Sequence, residues 1–501
     1  MEMFAIIFLP LFLFMYFATQ YLLNKLRNLP PSPWINLPVI GHVYLLKKPL
    51  HKTLTALSRK HGPILSLQLG SRRAVVVSSP SAAAECLCTA NDAVLANRPR
   101  LSVGKHLGYN HTSIVWAPYG DHWRNLRRIS SIELLSSHRI QSLSQIRSDE
   151  IRRLLRALYA ADSGGTVEMR TVIFELLFNS MTRMILGKRY YGRNEIDSEE
   201  AREFREIIDE MHKVTGKPQA VDFFPFLRWF GRSEDPCKGV HERRDKLLQN
   251  LIEGIRERSE KPQGKTMIEV LFSLQQTDPQ YYTDEIIRSL AAVLLQAGSD
   301  TSVATMEWAM ALLLNNPSVL NKAQLEIHNL VGDSRLLNDS DLPELPYLRS
   351  IIRETLRLYP VAPLFLPHES SEDCTIGGFH IPRGTMVQIN VRAIHNDPEI
   401  WEDPLEFRPE RFMHEERGIN KERLKHVPFG AGRRGCPGEA LAMSMIGLGL
   451  GSLIQCFDWQ RISGDDFEDM SESGGVVTAK AHPLLARCWP NSTMVHVLSQ
   501  L

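Results

Sequence analysis

The sequence predicts a mainly α-helical protein with small β-sheets, preceded by one N-terminal transmembrane helix. Three observations carry this reading. Phe4 to Leu23 is apolar except for Thr19 and Gln20, long enough to cross a bilayer core as a helix. Thr283 to Asn315 reads as a single helix, roughly 50 Å long at the standard rise. Strand patterns are confined to short pairs such as Ile64–Leu69 and Ala74–Val77, whose alternation and turn residues suit hairpins. No Gly/Ser-rich linker, charge block or repeat divides the 501 residues after position 35. One large domain, 35–501, is therefore expected behind an anchor at 1–24 and a basic, proline-rich hinge at 25–34. A net charge of +1 implies no global polyelectrolyte partner, hence no nucleic acid. Seven scattered cysteines suggest no disulfide framework and a reducing compartment.

The anchor's flanks set its orientation. Glu2 precedes it, and the basic Lys25 and Arg27 follow it with no small-x-small cleavage site. That argues against a cleaved signal peptide and leaves the bulk of the chain cytosolic. The sequons at Asn110, Asn338 and Asn491 then read as chance. Leu29-Pro-Pro-Ser-Pro33 is a stiff extended connector. A hairpin around Gly70-Ser71 follows, then a helical Ala82–Ala90 holding Cys86 and Cys88 as structural residues, then a loop-like stretch to Ser113. Trp116 to Arg128 begins a helix, punctuated by Pro118 and Gly120. Trp123 and Arg127 share its face. An indole N–H and a guanidinium together suit a carboxylate; the alternative is a solvated basic face with a buried Trp. Asp222 to Phe230 is an aromatic cluster broken by Pro225, either core packing or an apolar lip at the bilayer.

The long helix opens with Asp284 and Glu285 and ends at Asn315-Asn-Pro317. Its middle, Ala297-Gly-Ser-Asp-Thr-Ser302, breaks helix rules, because glycine and small polar residues compete with helical hydrogen bonding. Such breaks inside an apolar helix mark function. Gly298, Thr301 and Ser302 are expected on one side; the alternative is a kink over a packed neighbour. Tyr347 to Tyr359 is a further helix, stopped by Pro360, with Glu354 and Arg357 at i, i+3. Val361 to Pro367 is extended and apolar. Phe379–Gly384 and Thr385–Asn390 are expected to pair as a hairpin.

The most informative stretch is Phe429-Gly-Ala-Gly-Arg-Arg-Gly-Cys-Pro-Gly438. Gly430, Gly432 and Gly435 match a dinucleotide-binding G-x-G-x-x-G, but that motif needs a preceding strand in a βαβ unit, and Lys425-His-Val-Pro428 carries no strong strand pattern. A surface turn with an inert cysteine leaves Arg433 and Arg434 among glycines without a reason. The third reading is a metal-ligating thiolate. Pro437 and Gly438 open an apolar helical run, and a helix N-terminus just past the sulfur favours the thiolate.

The spacing Phe429-x-x-Gly432-x-Arg434-x-Cys436-x-Gly438 resembles the signature of the cytochrome P450 family with no departure. Its companions occur in family order: the proline hinge, Trp123-x-x-x-Arg127, Ala297-Gly-x-Asp-Thr301, Glu354-x-x-Arg357 and Pro409-Glu-Arg-Phe412. The resemblance covers the chain to about Pro490. It is most similar to plant microsomal members, in particular the group with the isoflavone 2'- and 3'-hydroxylases.

That resemblance implies the cytochrome P450 fold, with haem b buried between two long helices. Cys436 would be the axial ligand of its iron, with Phe429 packed against ring and sulfur. Arg434, Trp123 and Arg127 would meet haem carboxylates, and His368 the second propionate. Ala297 and Gly298 would make room for dioxygen, and Asp300 and Thr301 would pass protons. Glu354, Arg357 and Arg411 would form a structural triad under the cysteine loop. Val293, Ala297, Val361, Leu364, Phe365 and Val476 would line the substrate pocket, the last in the loop Gly474-Gly-Val-Val477. The implied function is a monooxygenase inserting one oxygen atom of O2 into a small apolar plant metabolite, by hydroxylating an isoflavonoid- or flavonoid-like phenolic ring. Electrons would come from NADPH through cytochrome P450 reductase. The basic Lys421, Arg423, Lys425 and Arg433 near the loop suit steering of an acidic reductase surface; the alternative is a solvated basic face. The location implied is the endoplasmic reticulum membrane, single-pass, with the catalytic domain cytosolic. Lignans, xanthones, terpenoids and herbicides are alternative substrates. Two other function classes stand beside this one: a haem-thiolate isomerase or dehydratase needing no reductase, and a non-catalytic haem or nucleotide-binding protein. Members that use no dioxygen often depart from the acid–alcohol pair that this chain keeps at Asp300 and Thr301. Some members that form methylenedioxy bridges also depart at the alcohol, and Thr301 does not.

Overall fold

The computed structural model describes residues 24–161, 164–192, 199–215, 219–230, 236–258, 266–413, 424–462 and 467–501, with a few positions between 15 and 22. The expected membrane span lies mostly outside the described residues. In order, the main elements are α1 (Leu50–His61), β1 (Ile64–Leu69), β2 (Arg72–Val77), α2 (Pro80–Cys88), α3 (Asp121–Ile129), α4 (Ser144–Tyr159), β3 (Thr166–Glu168) and α5 (Met169–Leu186). There follow α6 (Glu199–Thr215), α7 (Pro236–Arg258), α8 (Met267–Thr277), α9 (Asp284–Asn315), α10 (Pro317–Val331) and α11 (Pro346–Leu358). The chain continues through β4 (His368–Glu369), β5 (Cys374–Ile376), β6 (Phe379–Ile381), β7 (Met386–Ile389), α12 (Glu439–Cys456), β8 (Phe457–Arg461) and β9 (Leu485–Pro490).

The largest sheet runs β1-β2-β7-β4. Its alternation builds two cores, because successive residues of a strand face opposite ways. Leu65, Leu67, Ala74, Val76 and Met386 pack with Leu54 of α1. Ile64, Val75, Val77, Val387 and Ile389 pack with Ala82, Ala83 and Cys86 of α2. The sequence expectation fails at 379–390. β6 pairs with β5, Phe379 opposite Ile376, while β7 runs parallel to β2 and antiparallel to β4. Gly377 and Gly378 both hold positive φ, +56° and +80°, so they make a two-residue turn that side chains disfavour, and the hairpin forms there.

The helical core gathers around α9. Thr283 caps its start, its side chain accepting from the Ile286 N–H at 3.4 Å, and acidic residues fill its first turn. From Ser302 to Leu314 every residue is buried, the pattern of a helix enclosed on all sides. It packs on α5 and α12. Among the described residues α12 is the one helix long and apolar enough to cross a membrane, but most of it is buried in this core. The aromatic cluster after Asp222 is split: Phe223 packs against the Leu54 and Leu65 core, whereas Trp229 is 88% and Phe226 41% exposed.

Candidate functional site

The loop before α12 is folded by its own backbone. The Gly430, Gly435 and Cys436 N–H groups donate to the carbonyls of Val427, Gly432 and Phe429, at 3.1, 3.1 and 2.8 Å. Gly432 has φ +66°, and a Cβ there would strike the Leu87 carbonyl and come within 2.7 Å of Asp92 Oδ1. Only glycine fits. Asp92 fastens the loop from outside, accepting from the Arg433 N–H at 3.2 Å and from its Nη1 at 2.7 Å. No strand occupies 424–428, so the dinucleotide reading loses its context.

Cys436 is the one exposed cysteine of the seven. Gly438 is the N-cap of α12. Burial by surrounding protein pushes the Cys436 thiol up, opposed by the Gly438 and Glu439 N–H groups and the Arg127 guanidinium. A sulfur facing two amide N–H donors at a helix N-terminus is an arrangement that could hold a metal as thiolate.

Three half-buried guanidiniums lie near the loop: those of Arg98, Arg127 and Arg434. Arg434 donates Nε to Ala96 O at 2.7 Å, Nη1 to Ile114 O at 3.1 Å and Nη2 to Ala117 O, with its guanidinium carbon 4.5 Å over the Trp123 ring. Arg127, on α3, donates to Gly435 O. Arg98 donates to Val115, Leu366 and Pro367 carbonyls. Among the described residues none of the three has a carboxylate partner. Burial draws Arg98 down to about 10. Burial, then Arg98 and Arg127, draws Arg434 down to about 9. Partly desolvated, mutually repelling cations are costly unless an anion joins them. A group with two carboxylates meets that need, so haem with its propionates fits this donor set. Arg98 escaped the sequence reading: an arginine before Pro99 carries no pattern revealing its burial.

Two expected carboxylate partners are already engaged. The Trp123 indole N–H donates to Ile114 O at 3.0 Å. His368 is buried, its Nδ1 bonded to Leu95 O at 2.7 Å. Burial and then Arg98 hold its ring down to about 3. A carbonyl only accepts, so Nδ1 carries the proton and the neutral ring's Nε2 is an acceptor. His368 can donate to a carboxylate through Nε2 only when protonated.

On α9 the small residues differ in exposure. Ala297 is exposed and Thr301 half-buried, and Thr301 Oγ1 donates to Ala297 O at 2.7 Å. Asp300 beside it is half-buried. Gly298 and Ser302 are more enclosed than Ala297. A Cβ on Gly298 would collide with Met181 Cε of α5 and lie 3.0 Å from its Sδ, and Ser302 is buried. Residues three and four apart share a side of a helix, so Gly298, Thr301 and Ser302 fall on adjoining sides, with Gly298 turned to Met181. The contact with Met181 leaves no space for a side chain at 298.

The structure brings Glu354, Arg357 and Arg411 together. Arg357 Nε and Nη2 donate to the two Glu354 oxygens at 2.7 and 2.8 Å, and Arg411 Nε reaches Oε1 at 3.2 Å. Arg357 also donates to the His395, Pro404 and Glu406 carbonyls. His395 in turn accepts from the Val427 N–H at 2.9 Å, tying the triad to the cysteine loop. Sequence reading missed His395, whose role depends on contacts across 32 residues.

The expected pocket segments meet through backbone. Thr478 N–H donates to Val361 O at 2.9 Å, and the Trp308 indole of α9 donates to Thr478 O at 3.0 Å. Phe365 lies against Gly430, 3.7 Å from where a Cβ would stand. Leu364 and Val293 are half-buried, and Val476 is exposed. Of the expected basic steering residues, Lys421 and Arg423 lie outside the described residues. Arg433 is ion-paired to Asp92 and bonded to Tyr119. Lys425 sits 5.2 Å over the Trp401 ring.

The family profile described as Cytochrome P450 matches residues 30–486. An isoflavone 3'-hydroxylase of Medicago truncatula is 48% identical over 474 residues, covering 93% of each chain. A (+)-piperitol/(+)-sesamin synthase of Sesamum radiatum is 48% identical over 483 residues, covering 95% of this chain and 94% of that protein. A zebra fish cytochrome P450 solved with progesterone superposes with a TM-score of 0.76 at 26% identity, covering 89% of this chain and all of that one.

Proposed function

The chain belongs to the cytochrome P450 family, is a haem-dependent monooxygenase, and on that premise we propose that it hydroxylates an isoflavonoid- or flavonoid-like phenolic ring. The observation that carries the site assignment is the exposed Cys436 near three half-buried, partly desolvated arginines that, among the described residues, lack a carboxylate. Cys436 would ligate the iron, with Phe429 behind it. Arg98, Arg127 and Arg434 would hold the propionates, and the Glu354–Arg357–Arg411 triad would brace the loop through His395. When bound, haem supplies the activation of dioxygen, using electrons delivered one at a time by a reduced flavoprotein. The chain's own residues then do the rest. Ala297, without a large side chain, leaves space beside Thr301. Thr301 Oγ1, held by Ala297 O, presents its hydroxyl on the open face of α9 and relays a proton from Asp300. Val293, Val361, Leu364, Phe365 and Val476 would offer a mainly apolar border that excludes water and orients a flat aromatic ring.

The ring-hydroxylation reading is supported by the isoflavone 3'-hydroxylase relative. Oxidation of a lignan is the second reading, favoured by the sesamin synthase relative. NADPH–cytochrome P450 reductase is the electron donor we infer. We also place the chain as a single-pass endoplasmic reticulum protein, with an anchor at 1–24, a hinge at 25–34 and a cytosolic domain at 35–501. Two exposed aromatic patches support that orientation. Trp34 and Trp229 are each 88% exposed. Their segments meet at the β1–β2 turn, where Gly70 N–H donates to Ile40 O and Ser71 N–H to Phe223 O. Exposed tryptophans on segments that meet suit a membrane interface.

The test is spectral and then chemical. The reduced, carbonyl-bound protein should show the red-shifted Soret band of thiolate ligation, and Cys436→Ser should abolish it. An unchanged band in that variant identifies another ligand. Reductase-supported turnover of a panel of isoflavones, flavones and lignans should yield hydroxylated isoflavone. Turnover without NADPH, reductase or dioxygen would instead assign an isomerase or dehydratase.

A further inference from the structure

Residues 471–481 form a hairpin. Ser473 N–H donates to Ala479 O and Ala481 N–H to Ser471 O, both at 2.8 Å, with Glu472 opposite Lys480. The tip is Gly474-Gly-Val-Val477, and Gly474, Gly475 and Val476 are exposed. Two adjacent glycines give such a tip little stiffness of its own. Its position has to come from the stem.

The stem holds two buried charges of opposite sign. Glu472's side chain is 3% exposed. His51 Nε2 and Lys52 Nζ, both from α1, lie 3.0 Å from its Oε2, and Arg392 Nη2 lies 3.3 Å from its Oε1. Burial works to raise this carboxyl, but His51, Arg392 and Lys52 outweigh it and hold it down to about 2. Lys480 is 1% exposed. Its Nζ donates to Asp469 O, lies 3.6 Å from Glu468 Oε1 and stands 5.5 Å over the Trp308 ring. Trp308 stacks on Tyr359 at 4.0 Å, and the Arg392 guanidinium lies 5.3 Å over Tyr359. The side chains of Glu472, Arg392, Tyr359, Trp308 and Lys480 thus close a ring around the stem, joining it to α1 and to α9.

We propose that Glu472 and Lys480 are positioning residues that fix the tip at 474–477 against Val361 and α9, and so select which ring carbon is oxidised. Neither belongs to the tip; both act through the stem backbone. Buried ion pairs stabilise little compared with apolar packing of equal volume, and their best-attested use is to fix one arrangement. That suits a flexible tip which must stand in one place. The proposal rests on the reading that 361–366 and 474–477 border the substrate, and the experiment separates the two.

Glu472→Gln, Lys480→Met and Val476→Phe are made in the full chain with haem loaded. Each is scored for the reduced carbonyl band, for hydrogen exchange of the 471–481 peptide, and for the ratio of 2'- to 3'-hydroxylated product from an isoflavone in reductase-supported turnover. The expected result has three parts: the band is kept in all three variants, exchange in the stem is accelerated at least fivefold in the two stem variants, and the product ratio moves at least threefold in all three. If Val476→Phe moves the ratio and the stem variants do not, the positioning role is overturned while the pocket reading stands. If no variant moves it, the pocket reading fails and the proposal falls with it. Loss of the band in both stem variants would make the ring a folding element and likewise overturn the proposal.

Discussion

Met181 of α5 fills the space that a side chain on Gly298 of α9 would need, its Sδ 3.0 Å from the Cβ position and its Cε closer still. The glycine therefore lets the two helices approach closely.

Replacing Gly298 by Ala should test that contact. Helix propensity alone favours alanine by about 1 kcal/mol, whereas overpacking costs about 1–3 kcal/mol. We expect Gly298→Ala to lower stability in the parent and to raise it when Met181 is already Val. Urea unfolding of the four proteins of a double-mutant cycle gives the coupling. Equal effects in both backgrounds would show that Met181 is not the obstacle.

Thr301→Ala removes the hydroxyl and leaves the helix intact. The thiolate band should persist. Product formation should fall on the order of a hundredfold, the low end of what a positioned proton donor contributes, while oxygen and NADPH consumption continue. Thr301→Ser should recover much of the product. Product that tracks oxygen consumption in the alanine variant would remove the proton role.

Arg98 and Arg434 repel each other until an anion arrives. Arg434→Gln or Arg98→Gln should therefore weaken haem retention without weakening the haem-free protein. Loss of one charge-assisted bond costs about 1.5–3 kcal/mol, roughly a ten- to hundredfold drop in affinity. The ratio of haem to protein absorbance after dilution, set beside the melting of the apoprotein, checks both halves. An apoprotein destabilised as much as the holoprotein would make these arginines scaffold only.

His395 and His426 stack under the cysteine loop with centroids 5.2 Å apart. Burial, then Arg357, holds His395 down to about 3. Burial, then His395, holds His426 well below its ordinary value of 6.5. The folded state refuses protons that the unfolded state accepts, so the stability these rings contribute is full above about pH 6.5 and falls as pH drops toward their folded values. Each refused proton contributes about 1.4 kcal/mol per pH unit. His426→Gln can keep a donor to Arg353 O, which Nε2 now reaches at 3.1 Å, and removes one titration. Its urea midpoint should fall less steeply than the parent's between pH 6.5 and 5. Parallel curves would mean that His426 is not held neutral.

Local rules reached far into this chain. The helix expected from Thr283 to Asn315 starts one residue later, because Thr283 is its cap. Glu354 and Arg357 were legible as a pair because i, i+3 spacing on a helix brings side chains together. The contact of Gly298 with Met181 was not legible. Spacing put it beside Thr301, but only α5, more than a hundred residues earlier, decides which side of a buried helix is crowded. The pairing of β7 failed for a similar reason: a short strand carries no mark of its sheet. Arg98, His395 and Glu472 share that blindness, since each gains its role from burial among carbonyls or charges supplied by distant segments.

Arg357 sends hydrogen bonds to the carbonyls of His395, Pro404 and Glu406, 38, 47 and 49 residues downstream. Until those residues arrive, a fully buried cation lacks most of its acceptors. The ground beneath the cysteine loop is therefore non-local: its buried charge is matched by segments far along the chain. Through His395 and the Val427 N–H, the loop shares that dependence. A chain shortened before residue 395 would leave the Arg357 cation without three of its acceptors and the loop without this backbone tie.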